Sequence, residues 1–232
     1  MKTRRSRFMA LASGAALLLG MGLHLWASTA EAGCAKTPFP ATGQTTAYTA
    51  ILQDGTSAVA VPDDGTVEAG AELRYVDNGN GTVTDKNTKL TWEKKVAGSS
   101  CLHCVGDAYP WSNPTTPGAN PTIWDWLAQV NAEGGVGLAS KRDWRISNVK
   151  ELQSIADYGR CGPPGGNCAD QAAIDPMFGP TAVSDYWSST TLAASPALAW
   201  VVGFGFGSVL FDDKSVFSHA LRVRAVRGGC VD

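Results

Sequence analysis

Two tryptophan-centred phrases constrain the fold of this chain more than any other stretch: KRDWRISNVKELQSIADYG at residues 141–159 and DPMFGPTAVSDYWSST at residues 175–190. The first predicts a tight entry into a short amphipathic helix. Asn148 stands three residues before Glu151, the spacing at which two side chains each accept a hydrogen bond from the other's backbone amide. Val149, Leu152, Ile155 and Ala156 then supply a buried stripe, and Gly159 closes the helix. The second phrase predicts an irregular loop feeding a buried strand that starts at Tyr186. The segments before these phrases are built to pack against them, and those after to close over them.

Around this centre the pattern of apolar residues predicts a hairpin, another helix and a closing ribbon. Residues 73–76 and 82–85 read as strands joined through Asp77-Asn78-Gly79-Asn80-Gly81. Asn-Gly between such runs favours a hairpin, because both residues tolerate positive φ. Residues 86–89 turn again into a strand at 90–93. The oxygen-rich run 77–85 lacks the ligand spacing of an EF-hand, since Gly79 and Gly81 take two ligand places, so it reads as a turn. A long loop, 98–121, carries Cys101-Leu102-His103-Cys104 and Trp111. Ile123, Trp126, Leu127 and Val130 then fall on one helical face that Gly134-Gly135 ends. Strands follow at 186–190, 199–204, 208–211 and 221–227. In the second of these, Trp200, Val202 and Phe204 share a face. The last is expected to alternate Leu221, Val223 and Ala225 inward with Arg222 and Arg224 outward. The class is α+β: two helices packed on antiparallel β-hairpins and a C-terminal β-meander, stapled by disulfides.

The N-terminal residues read as an address. Lys2, Arg4, Arg5 and Arg7 precede an apolar run from Phe8 to about Ala27, and Ala30-Glu31-Ala32 forms a small-x-small cleavage site. That order is a secretory signal peptide, with a retained membrane anchor and twin-arginine export as the alternatives. The domain plan is a signal peptide at 1–32, an extended, loop-rich lead-in at 33–72 and a folded domain at 73–232. Cleavage removes four basic residues and one acid from the 19 and 21 of the whole chain, leaving 15 and 20 and a net charge of −5. No basic tract remains, which argues against nucleic acid as a partner, and no transmembrane segment is expected after signal removal. The expected location is secreted, periplasmic or outer cell surface. A lipoprotein anchored through Cys34 is the alternative.

All six cysteines lie beyond the cleavage site, and an even count in an exported chain points to disulfides. Cys161 and Cys168 enclose GPPGGN, a loop with too few side chains to hold itself. Cys101 and Cys104 form a C-x-x-C, and Cys34 with Cys230 can staple the ends of the mature chain. A redox C-x-x-C ordinarily opens a helix, and zinc needs two further ligands, so a structural disulfide is expected at Cys101–Cys104 and no metal. With His103 and His219 the only mature histidines, no catalytic triad is assembled and no catalytic residue is assigned. Trp92, Trp144, Trp187 and Trp200 are read as core. Trp111, in a polar loop, is the exposed-aromatic candidate. Arg222, Arg224 and Arg227 form either an anion-binding row or pairs with acids such as Glu151 or Asp143.

The succession NGNGTVTDKNTKLTWEKK, DWRISNVKELQSIADYG, AIDPMFGP, YWSST, AWVVGFGFGSV and VRAVRGG, in that order, closely resembles one family. It is the C-terminal domain of the collagen-like bacterial adhesin Lcl, a branch of the C-type-lectin-like fold. The likeness runs from about Phe39 to Gly229. It implies a secreted or cell-surface, non-catalytic module with adhesin-like recognition of a carbohydrate, whether polysaccharide or glycosaminoglycan, or of a protein. The chain departs from the pattern: no Gly-X-Y repeat precedes the domain, and Ser147 replaces the usual proline. The calcium signatures of lectins are also absent, so no cofactor is expected and calcium is not supported. By analogy with lectin-like folds, Asp212, Asp213 and Lys214 in the meander loops are ligand-binding candidates, in addition to Trp111. The rival readings are an oxidoreductase of the formylglycine-generating type, using Cys101 and Cys104, and a purely structural envelope protein.

Overall fold

The Asn-Gly cue yields the expected hairpin, with positive φ at the glycines and not at Asn78 or Asn80. Gly79 and Gly81 both adopt positive φ, Gly79 N donates to Asp77 Oδ1 at 2.9 Å, and Asn78 N donates to Thr82 O at 3.0 Å. The loop oxygens are spent on the loop itself: Thr82 Oγ1 donates to Asn80 Oδ1 at 2.7 Å, and Asn78 Nδ2 donates to Thr82 Oγ1 at 2.8 Å. The computed structural model describes residues 39–46, 63–112, 121–160, 171–216 and 219–229, with the backbone alone of 49–51 and 58–60. The signal peptide and the pairings Cys161–Cys168 and Cys34–Cys230 lie outside the described residues.

In chain order, strands β1 (Thr49–Ile51) and β2 (Ala58–Ala60) make a two-stranded ribbon, followed by a single helical turn, α1 (Asp64–Val67). Strands β3 (Tyr75–Asp77), β4 (Thr82–Asp85) and β5 (Thr91–Glu93) form the first meander. Helix α2 (Ile123–Ala132) comes next, then β6 (Arg145–Ile146) and helix α3 (Val149–Gln153). Strands β7 (Asp185–Thr191), β8 (Leu198–Gly203) and β9 (Ser208–Asp213) make a second, three-stranded sheet, and β10 (Ala225–Arg227) ends the fold. Strand β10 enters the first sheet between β5 and β6, giving the order β3-β4-β5-β10-β6. The opening and closing ribbons therefore share one sheet, with Val226 opposite Trp92 on one side and Arg145 on the other.

Helices α2 and α3 both begin with reciprocal capping. Asn148 Oδ1 accepts from Glu151 N at 2.9 Å while Glu151 Oε2 accepts from Asn148 N at 2.9 Å, and Thr122 with Asp125 repeats the arrangement on α2. Such boxes contribute about 1 kcal/mol each. The stripe of α2 buries Ile123, Trp126 and Val130 as expected. Helix α3 is shorter than its pattern implies: it ends at Gln153, not near Gly159. Distant partners draw the chain out of the helix, since Asp157 N donates to Ala173 O and Tyr158 N to Thr42 O.

Two apolar clusters lie on either side of the β7–β9 sheet. Leu152, Ile155, Tyr186, Val202 and Phe204 pack with Trp92, Phe178 and Val226 in one. Ile123, Trp126, Trp144, Trp187 and Val201 pack with Ala225 in the other. The expected burial of Trp92, Trp144 and Trp187 holds, but Trp200 is only half-buried, packed edge-on against exposed Phe211. The last strand also departs from expectation. Arg224 points inward and is wholly buried, since regular strand starts only at Ala225 and strict alternation does not reach back to residue 224. The proposed arginine row is therefore broken up: Arg227 pairs with Asp143, Arg222 donates to Gly106 O, and Glu151 is taken by Arg145.

Candidate functional site

The densest charge in the described residues is internal. Strand β5 carries Glu93 inward, and Lys95, two residues on, shares its face. Glu93 is 0 % exposed and Lys95 4 %. Glu93 Oε1 accepts from Lys95 Nζ at 2.8 Å and lies 2.7 Å from His103 Nδ1, while Oε2 accepts from Ala225 N at 3.0 Å. Lys95 Nζ stands 4.7 Å from the Trp126 ring centroid. Arg224 donates through Nη1 to Glu93 O (2.7 Å) and Phe178 O (2.9 Å), and through Nη2 to Thr181 Oγ1 (2.8 Å). Gly179 makes this approach possible: at φ +77° a side chain there would be strained and would collide with Lys95 O.

His103 reaches Glu93 because a disulfide holds its loop. Cys101 and Cys104 are bonded, and the loop is pinned to the strand end by Val96 N donating to His103 O and Val105 N to Val96 O. The other imidazole nitrogen lies 3.3 Å from Glu133 Oε1. Burial by itself would raise the Glu93 carboxyl, but Lys95 and His103 outweigh it and hold the group at about 2. Burial pulls His103 down, and its hydrogen bond and attraction to Glu93 more than reverse that, so the imidazolium is favoured. Lys95 is lowered by burial, with Glu93 offsetting part of the effect. The neighbouring cleft of about 310 Å³ is lined by Cys101, Leu102, Asp107 and Tyr109 among others, and by none of the four cluster side chains. Chemically, this cluster is an ion-paired interior in which Glu93 answers Lys95 and His103, while Arg224 Nε is buried without a hydrogen-bond partner.

The surface presents a different arrangement. Trp111 donates from Nε1 to Ser188 O at 3.3 Å and meets the ring of Trp124 edge to face, with centroids 4.9 Å apart. Lys214 Nζ lies 4.5 Å from the Trp111 centroid and donates to Thr191 Oγ1 (2.6 Å) and Pro196 O (2.9 Å). Ser112 Oγ donates to Lys214 O at 2.5 Å, tying the long loop to the end of β9. Trp124 is 39 % exposed. Among the described residues, no carboxylate forms an ion pair with Lys214.

Of the four residues singled out in the sequence, the structure thus brings Trp111 and Lys214 into contact across 103 positions. Asp212 and Asp213 are engaged elsewhere. Asp212 pairs with His219 Nδ1 at 2.6 Å, and Asp213 accepts from Ser215 N and Oγ, both at 2.7 Å, which holds its carboxyl below the usual range. Trp124 was missed, although its position carried a signal: it is the large aromatic on α2 that falls off the Ile123-Trp126-Val130 face. Glu93, Lys95 and Arg224 gave no such signal, because charged residues at strand ends are ordinarily solvated. Among the described residues, no group of three or more His, Cys, Asp or Glu side chains is placed to hold a metal, and no helix is long and apolar enough to cross a membrane.

The family model of the Lcl C-terminal domain matches residues 81–227, the span from the first hairpin turn to the closing strand. No curated protein and no solved structure matches the chain.

Proposed function

The chain belongs to the Lcl C-terminal domain family, and from that premise we propose that it is an extracytoplasmic, non-catalytic binding module of C-type-lectin-like fold whose ligand is a carbohydrate seated on Trp111, Trp124 and Lys214. The observation that carries this reading is the pairing of two partly open indole rings with a cation that has no carboxylate partner among the described residues. Indole faces take the C–H faces of sugar rings, and a lysine held between neutral acceptors can also meet an acidic or hydroxyl-rich group. Support for a non-catalytic role comes from the interior, where the acid–base groups are paired with one another away from the neighbouring cleft. The family's association with adhesion supports an extracellular or surface location, and recognition is taken to be independent of calcium.

The test is an array of neutral, acidic and sulfated glycans probed with the purified chain, with and without a calcium chelator. Binding that survives the chelator and falls about tenfold or more in Trp124→Ala and Lys214→Ala is the expected result, since each removes about 1–3 kcal/mol of contact. Silence across the array, or binding indifferent to both substitutions, defeats the reading. Binding lost on chelation defeats its calcium-independent form.

A further inference from the structure

The two outer edges of the β7–β9 sheet are treated differently. Along β7 the edge is covered by other parts of the chain: Trp187 N donates to Arg222 O at 2.9 Å, Ser189 N to Ser147 O at 2.8 Å, and Arg222 N to Asp185 O at 3.1 Å. Strand β9 has no such cover among the described residues, although its six-residue register with β8 is unbroken. The bond from Lys214 N to Ala197 O sets the phase of that ladder, so Ser208, Leu210 and Asp212 bond to β8 while Val209 and Phe211 turn their N–H and C=O groups outward. Leu210 is 51 % exposed and Phe211 55 %. Proteins ordinarily blunt such an edge with lysine, proline or a bulge, and SVLF at 208–211 carries none of these.

We infer that this edge pairs with β9 of a second copy of the chain, antiparallel about a two-fold axis through Leu210. In that register the outward groups of Val209 and Phe211 are both paired, and apolar residues oppose apolar ones from Val209 to Phe211. Val209 of each copy exchanges both backbone hydrogen bonds with Phe211 of the other, which completes the groups that β8 leaves unused. Phe211 then meets Val209 across the strands, and Leu210 meets its own counterpart on the axis. Asp212 falls opposite Ser208 and Asp213 opposite Gly207, so no acid opposes an acid. A parallel in-register pairing stacks Asp212 on Asp212 and Asp213 on Asp213 and is excluded by like-charge repulsion. Closure about the two-fold also uses up the open edge, giving a dimer with a continuous six-stranded sheet and no free β9 edge to propagate from.

The test is sedimentation equilibrium of the purified chain over a concentration series, together with two oppositely charged variants at Leu210. The wild-type chain is expected to populate a dimer. Leu210→Lys and Leu210→Glu, each of which opposes like charges on the axis, are expected to weaken it about tenfold or more. An equimolar mixture of the two variants restores association, because opposite charges then meet. Leu210 is half-exposed, so near-ultraviolet circular dichroism of both variants should match the wild type and exclude misfolding. A wild-type chain that stays monomeric throughout overturns the inference. So does a dimer indifferent to Leu210→Lys, or a loss in both variants that their mixture does not repair.

Discussion

The molecule uses one contact twice, a lysine ammonium over a tryptophan ring, at 4.7 Å for Lys95 on Trp126 and 4.5 Å for Lys214 on Trp111. The surroundings separate them. Lys95 is buried and answered by Glu93, itself joined to His103 and braced by Arg224's hold on its backbone. Lys214 lies half-buried at the surface, its ammonium hydrogen-bonded to a hydroxyl and a carbonyl and to no carboxylate among the described residues. A cation–π contact alone therefore says little about role. In the interior the charge is committed to folding, and removing a partner leaves an ion without compensation. At the surface the same geometry orients a charge that remains free to meet something else.

The largest effect that sharpens this contrast is on the inner pair. Glu93→Gln strands Lys95 beneath α2, and stability in urea should fall by about 3–5 kcal/mol. The equivalent outer change, Lys214→Met, should cost no more than about 0.5 kcal/mol. Equal losses would erase the distinction.

Next in size is the response to acid. Glu93 has a folded value of about 2 against 4.5 unfolded, so its contribution is complete above about 4.5 and is lost as pH falls through 2. That limb carries on the order of 3 kcal/mol and should vanish in Glu93→Gln. His103 gives a limb of opposite sign. Its folded value is raised above 6.5, so its contribution is full below 6.5 and disappears as pH rises through the folded value. Denaturation curves of His103→Gln should lack this alkaline loss, and an unchanged profile would detach the imidazole from Glu93.

Opening the four-residue disulfide loop should cost about 2 kcal/mol, measured as the urea midpoint of the Cys101→Ser, Cys104→Ser double variant. Part of that loss should disappear in a His103→Gln background, because the loop's contribution includes holding the imidazole in place. The smallest change expected is in Lys214→Ala, whose melting temperature should stay within about 1–2 °C of wild type while its glycan binding falls.

What was legible in the sequence was local. The Asn78-Gly79 turn, the Asn148–Glu151 box and the stripe of α2 depend on residues within a few positions of one another, and all three read correctly. Helix α3 was over-extended because Ala173 and Thr42, which end it, are remote in sequence. Period-two alternation points Arg224 outward, but the segment is not regular strand until Ala225, and the side chain turns inward. The candidate site was half legible: a tryptophan in a polar loop and a lysine in a meander turn could each be named, but nothing local placed them together. The glutamate at the end of β5 looked like any solvated strand terminus, since its partners come from residues 95, 103 and 225.

The insertion of β10 between β5 and β6 has a consequence for the order of events during synthesis. Until residues 224–227 leave the ribosome, β5 and β6 have no strand between them, and the Glu93 carboxylate lacks the amide of Ala225. Sheet closure across more than 130 positions is slow as well as late. The first sheet of a nascent chain of this design therefore stays open until its last strand is made. Truncation just short of residue 225 should leave that open form as the end product.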